Sequence, residues 1–141
     1  LHHDKALEER ASLKTHPAVR AALNRWWDFG VSEHSRCVEE GDKDEAGAGS
    51  GSEHKVGWGA YHRISLRLHR ALVPKESEAE AERASRDEWD EDRHGKTYLD
   101  ERRFTDALFQ LADVWTDEIG GQLYADFLNN LLWAITHQQC P

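Results

Sequence analysis

Apolar residues recur along this chain mostly three and four positions apart, and no run alternates in the two-residue rhythm of a strand. The spacing predicts an all-α protein. Thr15 and Pro17 suit the start of a first helix, on which Val19, Ala22, Leu23 and Trp26 line one face as far as Trp27. A second helix carries Tyr61, Ile64, Leu68, Ala71 and Leu72 on one side and stops at Pro74. A third, from about Lys75 to Trp89, is rich in Ala and Glu with a thin apolar stripe, which places it at the surface. Phe104, Ala107, Leu108, Leu111, Ala112 and Trp115 give the fourth a strong stripe and a place in the core. Gly120 and Gly121 break the chain, and the last helix is apolar over more than one face: Tyr124, Phe127, Leu128, Leu131, Leu132, Ile135. It should be the most buried. The pattern of the first dozen residues does not decide between helix and coil.

Between the first two helices the text becomes VSEHSRCVEEGDKDEAGAGSGSEHK, rich in Gly, Ser and acids and poor in core formers. It reads as a flexible insertion at about 32–55. The partition expected is therefore an N-terminal extension over 1–14, one domain over 15–138 containing that insertion, and a short end at 139–141. A chain of 141 residues suits one domain. Starting at Leu1 and lacking methionine, it reads as a piece of a longer product. Asp plus Glu outnumber Lys plus Arg, 27 to 18, and the net charge of −9 argues against general affinity for nucleic acid or anionic membrane. Cys37 and Cys140 share no short spacing with histidines, so no zinc knuckle or disulfide framework is implied, and a reducing, cytoplasmic setting fits.

Candidate chemistry centres on WDEDRHGKTYLDERRF, Trp89 to Phe104, which can be tested as a calcium loop. A standard hand uses a 12-residue loop with ligands at positions 1, 3, 5, 7 and 9, glycine at 6 and a closing bidentate acid at 12. Asp90, Asp92 and Gly95 occupy 1, 3 and 6, and strict counting puts Glu101 at 12. The following helix disagrees with that count. Its apolar positions fit only when the register moves two residues on, with Leu99 at position 8, Arg103 closing the loop and Phe104 opening the helix. A cation in the closing position repels calcium, and Arg93 and Lys96 add to it. The expectation is an empty hand, with a calcium site of Asp90, Asp92 and Glu101 as the alternative. The same template aligns Val56, Trp58, Ala60, Tyr61 and Ile64 with Leu99, Glu101, Arg103, Phe104 and Ala107. There Ala60 replaces the closing acid.

On the stretches WWDFG, GAYHRISLRLHRAL, DEWDEDRHGK and FTDALFQLADVW, residues from Thr15 to about His137 resemble the degenerate paired EF-hands of ciliary, flagellar and related protist proteins. The resemblance implies two helix–loop–helix units plus an additional C-terminal helix. It also implies a structural or adaptor role among axonemal or microtubule-associated proteins, in the cytoskeleton of a cilium or flagellum. Calcium would be the family's ligand, and both closing positions here depart from it.

Other chemistry is thin. Nine histidines have no ligand spacing, AGAGSGS lacks the lysine and preceding strand of a phosphate loop, and no nucleophile motif is present. The reading is a non-catalytic module without a cofactor. For a protein partner, Trp27, Trp58 and Trp133 have weak core claims and Trp27 or Trp58 would serve as an aromatic anchor, while Arg63, Arg67 and Arg70 form a basic patch in an acidic chain. Alternatively, those arginines together with His69 pair with Glu76, Glu78, Glu80 and Glu82 across a helix contact.

Overall fold

The structure is a computed structural model describing residues 8–39 and 54–138. Residues 8–12 are helical and run into a 3-10 turn at Leu13–Thr15. Five helices follow: α1 (Pro17–Glu39), α2 (Trp58–Leu72), α3 (Glu78–Asp92), α4 (Glu101–Trp115) and α5 (Gly121–Thr136). The class expected from the spacing is the class observed.

The entry to α1 is fixed by His16 rather than Thr15. Its Nδ1 accepts the Ala18 N–H at 3.2 Å, while the Thr15 hydroxyl donates backwards to the Ser12 carbonyl. At α3 Ser77 and Glu80 form a reciprocal capping box, with bonds of 3.1 and 3.0 Å. Asp100 caps α4 by accepting the Arg103 N–H at 2.9 Å.

α1 corrects the expected domain plan. It does not stop at Trp27 but continues to Glu39, so Ser32–Glu39 belongs to a packed helix and not to an insertion. The physical reason is a face that persists in less hydrophobic letters: Gly30, Glu33, His34 and Cys37 are all buried. Gly30 allows Phe104 and Val56 to lie against the helix backbone. His34 takes the Gly57 N–H on Nδ1 at 3.3 Å and meets the Tyr98 ring edge-on, and Glu33 accepts from Arg36 at 3.1 Å. The remainder of the expected insertion, over 40–53, lies outside the described residues, and at its far side Lys55 and Val56 are buried.

α1 is the central element. It packs against α2, α4 and α5, and its fully buried Trp26 donates Nε1–H to the Leu128 carbonyl of α5 at 2.9 Å. α5 also touches α2 and α4, and buries Tyr124, Leu128, Leu131 and Ile135, as its apolar breadth predicts. α3 is different. It rests chiefly on α2, and of its side chains only Ser85 and Trp89 are buried. Across that contact His62, Ser65 and His69 of α2, at i, i+3 and i+7, face the acidic and serine side chains of α3.

The connections 54–57 and 93–100 meet in one antiparallel bridge. Val56 N–H donates to the Leu99 carbonyl at 3.0 Å and Leu99 N–H to the Val56 carbonyl at 2.8 Å, and both side chains are fully buried. The turn before it is tight, with His94 and Gly95 at φ of 49° and 75°. Among the described residues, no helix is long and apolar enough to cross a membrane.

Candidate functional site

A mainly apolar concavity lies between α2, α3 and α4, a groove of about 260 Å³. Its floor is built by two amphipathic stripes. α2 supplies Ile64 and Leu68, and α4 supplies Phe104, Leu108, Leu111 and Val114. Ile64, Phe104 and Leu108 are buried beneath it, whereas Val114, at the open end, is 77 % exposed. The α3 wall is of the opposite chemistry, since Glu88, Glu91 and Asp92 line it. An apolar trough edged on one side by three carboxylates is thus open to solvent.

At the inner end of that wall Asp92 Oδ2 accepts the Tyr61 hydroxyl at 2.7 Å. Burial raises the Asp92 pKa above the ordinary carboxylate value, opposed by the Tyr61 bond; burial and the Asp92 charge push the Tyr61 hydroxyl far up in turn. Tyr61 sits in an aromatic cluster with Trp58 and buried Trp89, their centroids 6.4 and 5.0 Å from its own. Farther along the seam His62 Nε2 meets Glu82 at 2.7 Å, and the Ser65 and Ser85 hydroxyls bond at 2.7 Å. His69 Nδ1 meets Glu76 at 2.7 Å and its Nε2 meets Glu88 at 3.1 Å.

The candidate calcium ligands do not converge. Asp90 Oδ1 takes the Arg93 Nε–H at 3.3 Å, Asp92 turns inward to Tyr61, and Glu101 faces Arg20 of α1 at 3.7 Å. Arg103 folds back toward the capping Asp100, 3.5 Å away, and Ala60 is fully buried. No group of three or more His, Cys, Asp or Glu side chains gathers at metal-holding distance among the described residues.

The expected partner surface is redrawn. Trp27 is no exposed anchor: it is 7 % exposed, with its ring against Phe104, because α1 continues past it and places it between α4 and the core. Trp58 is half-buried, stacked on His62 and covered by the Arg86 guanidinium 4.5 Å from its ring. Trp115, expected inside, is 46 % exposed, whereas Trp133, whose core claim was weak, is 64 % exposed. Of the arginines, Arg70 donates to Gln138 at 3.4 Å and the Arg67 carbonyl accepts from Gln138 at 2.8 Å; Arg63 lies on α2, partly buried. The expected charge pairing between the second and third helices includes two histidines, His62 and His69. His69 belongs to the charged set that the spacing opposed to Glu76, and His62 joins the seam one face earlier through Glu82.

No family model, curated protein or solved structure matches the chain.

Proposed function

We propose that this chain is a non-catalytic protein-interaction module of paired EF-hand-like construction, which holds an apolar helical segment of a partner protein in the groove between α2, α3 and α4. The observation that carries the reading is the groove's asymmetry. An apolar floor that reaches solvent at Val114 and a wall of Glu88, Glu91 and Asp92 fit a helix with a Leu-rich stripe flanked by Lys or Arg.

The reciprocal Val56–Leu99 bridge supports the EF-hand-like pairing, because it joins the two loops at the positions that the sequence register aligned. Gly57 and Asp100 follow as the N-terminal flanks of α2 and α4, and Tyr61 and Phe104 hold equivalent places on them. A calcium-responsive version of the module is disfavoured by Arg103 at the closing position and by the separate partners of Asp90, Asp92 and Glu101. An axonemal or microtubule-associated setting within the proposal rests on the sequence resemblance alone.

Titration with an idealised amphipathic Leu/Lys peptide tests it. The peptide should bind, a Leu/Glu counterpart should not, and Val114→Asp, at an exposed position, should abolish binding without lowering the melting temperature. Equal binding of both peptides, or binding that survives Val114→Asp, refutes the groove as the docking site.

A further inference from the structure

The wall of the groove is attached in an unusual way. α3 offers α2 mainly a polar seam, and the apolar contribution from α3 is concentrated at one end, in Trp89. At the other end His69 is clamped through both ring nitrogens, Nδ1 against Glu76 in the turn before α3 and Nε2 against Glu88 within it. Carboxylates only accept hydrogen bonds, and a neutral imidazole has only one N–H to give. The imidazolium alone satisfies both contacts; after deprotonation a ring lone pair must face a carboxylate.

We propose that His69 is a proton-operated latch, which holds α3 against α2 while charged and frees α3 to swing away from the groove once its proton is lost. The surrounding groups agree with a charged latch. Burial works against it, but the bonds and charges of Glu88 and Glu76 outweigh burial and hold the His69 pKa above the ordinary histidine value. Glu78 and Glu82 of α3 share a cavity of about 350 Å³ with His69 and Glu76, and Arg70 of α2 itself also lines it. From beyond α5, neutral Gln138 reaches α2 at Arg67 and Arg70, and Gln110 is the polar residue that α4 brings to the groove. α1 meets α2 at its opposite end, through His34 and Gly57. With the folded pKa raised, the latch contributes fully below the unfolded value of about 6.5 and is lost as pH rises through the folded value. The groove is therefore narrow in acid and widens toward alkaline pH.

This inference concerns the regulation of the proposed docking groove and rests on that reading for its use, but its test needs no partner. Hydrogen exchange of the free protein, normalised for intrinsic rates between about pH 5.5 and about pH 8.5, should show protection of α3 falling severalfold with rising pH while α4 and α5 hold theirs. Nile red, a neutral dye, should gain fluorescence over the same range. Two variants should abolish the response in opposite directions. H69Q has no charge and carries both of its N–H donors on one nitrogen, so it cannot span the two carboxylates as the ring does and should leave α3 poorly protected throughout. E88Q can donate its amide to the neutral ring and should keep α3 protected throughout. If H69Q does not fold, E88Q and the 15N shifts of the His69 ring decide: both nitrogens should stay protonated above the pH at which a free histidine is neutral. Protection of α3 that ignores pH, a wild-type profile in E88Q, or a ring already neutral near pH ~6.5 overturns the latch. A dye signal indifferent to pH overturns its link to the groove, whereas failure of the Leu/Lys peptide with the latch intact refutes the docking reading instead.

Discussion

Tyr61→Phe removes one oxygen and nothing else, and its cost can be worked from the surroundings of Asp92. That carboxylate lies in the groove wall with the Tyr61 hydroxyl 2.7 Å from Oδ2. A hydrogen bond to a charged group contributes about 1.5–3 kcal/mol, and solvent reaching this partly buried site moves the expectation to about 1–2 kcal/mol near pH ~7. The sign with pH follows from the direction of the Asp92 shift. Its carboxyl is raised above the ordinary value by burial, opposed by the Tyr61 bond. A raised carboxyl contributes stability while protonated, and that contribution is lost as pH climbs through the folded value. Deleting the hydroxyl removes the opposing bond and raises the carboxyl further, so the variant loses more than the wild type over this window. Toward pH ~3, below the ordinary carboxylate value and so further below the raised one, the acid is largely neutral and the penalty should shrink to about 0.5–1 kcal/mol. Urea unfolding followed by tryptophan fluorescence, on both proteins in matched buffers, reads the difference directly. An equal penalty at both pH values, or none near neutrality, would refute the assignment of Asp92 as the charge that Tyr61 stabilises.

Three further outcomes are expected. Gly30→Ala, usually worth a gain of up to about 1 kcal/mol inside a helix, should instead destabilise by about 1–2 kcal/mol, because the new Cβ would lie 2.8 Å from the buried Phe104 ring; a raised unfolding midpoint contradicts it. Trp26→Phe should cost about 1–3 kcal/mol by leaving a cavity and losing the bond to the Leu128 carbonyl, measured by the same unfolding assay. Calorimetry should find no calcium affinity tighter than ~1 mM, and micromolar binding that disappears in Asp90→Ala would show the second loop to be a functional hand.

The helices were legible where the apolar stripe was spelled in apolar letters, as at Val19, Ala22, Leu23 and Trp26, or at Phe104, Leu108 and Ala112. The extension of α1 was hidden because its buried face passes through Gly30, Glu33 and His34, whose burial depends on a close approach by Phe104, on Arg36 and on the Gly57 N–H. Local periodicity carries no information about such distant partners. Trp27 and Trp115 show the same limit from the other side: each is apolar, and only the arrangement of neighbouring helices decides that the first is buried and the second exposed. For the site, the alignment of Val56 with Leu99 was readable as a register, and the two residues do meet. The groove was not readable, because its floor and its acidic wall belong to three helices whose packing no single stretch of sequence records.

The bond from Trp26 to Leu128 spans 102 positions in the chain, and it has a consequence for synthesis. A ribosome adds roughly 5–20 residues each second, so the first helix leaves the exit tunnel about 5–20 seconds before the last one can meet it. Through that interval Val19, Leu23 and Trp26, all destined for complete or nearly complete enclosure, have no final neighbour on α5. The nascent chain therefore presents a sticky amphipathic helix to the cell's chaperones while α2, α3 and α4 are being made, and this core should close only after α5 has emerged.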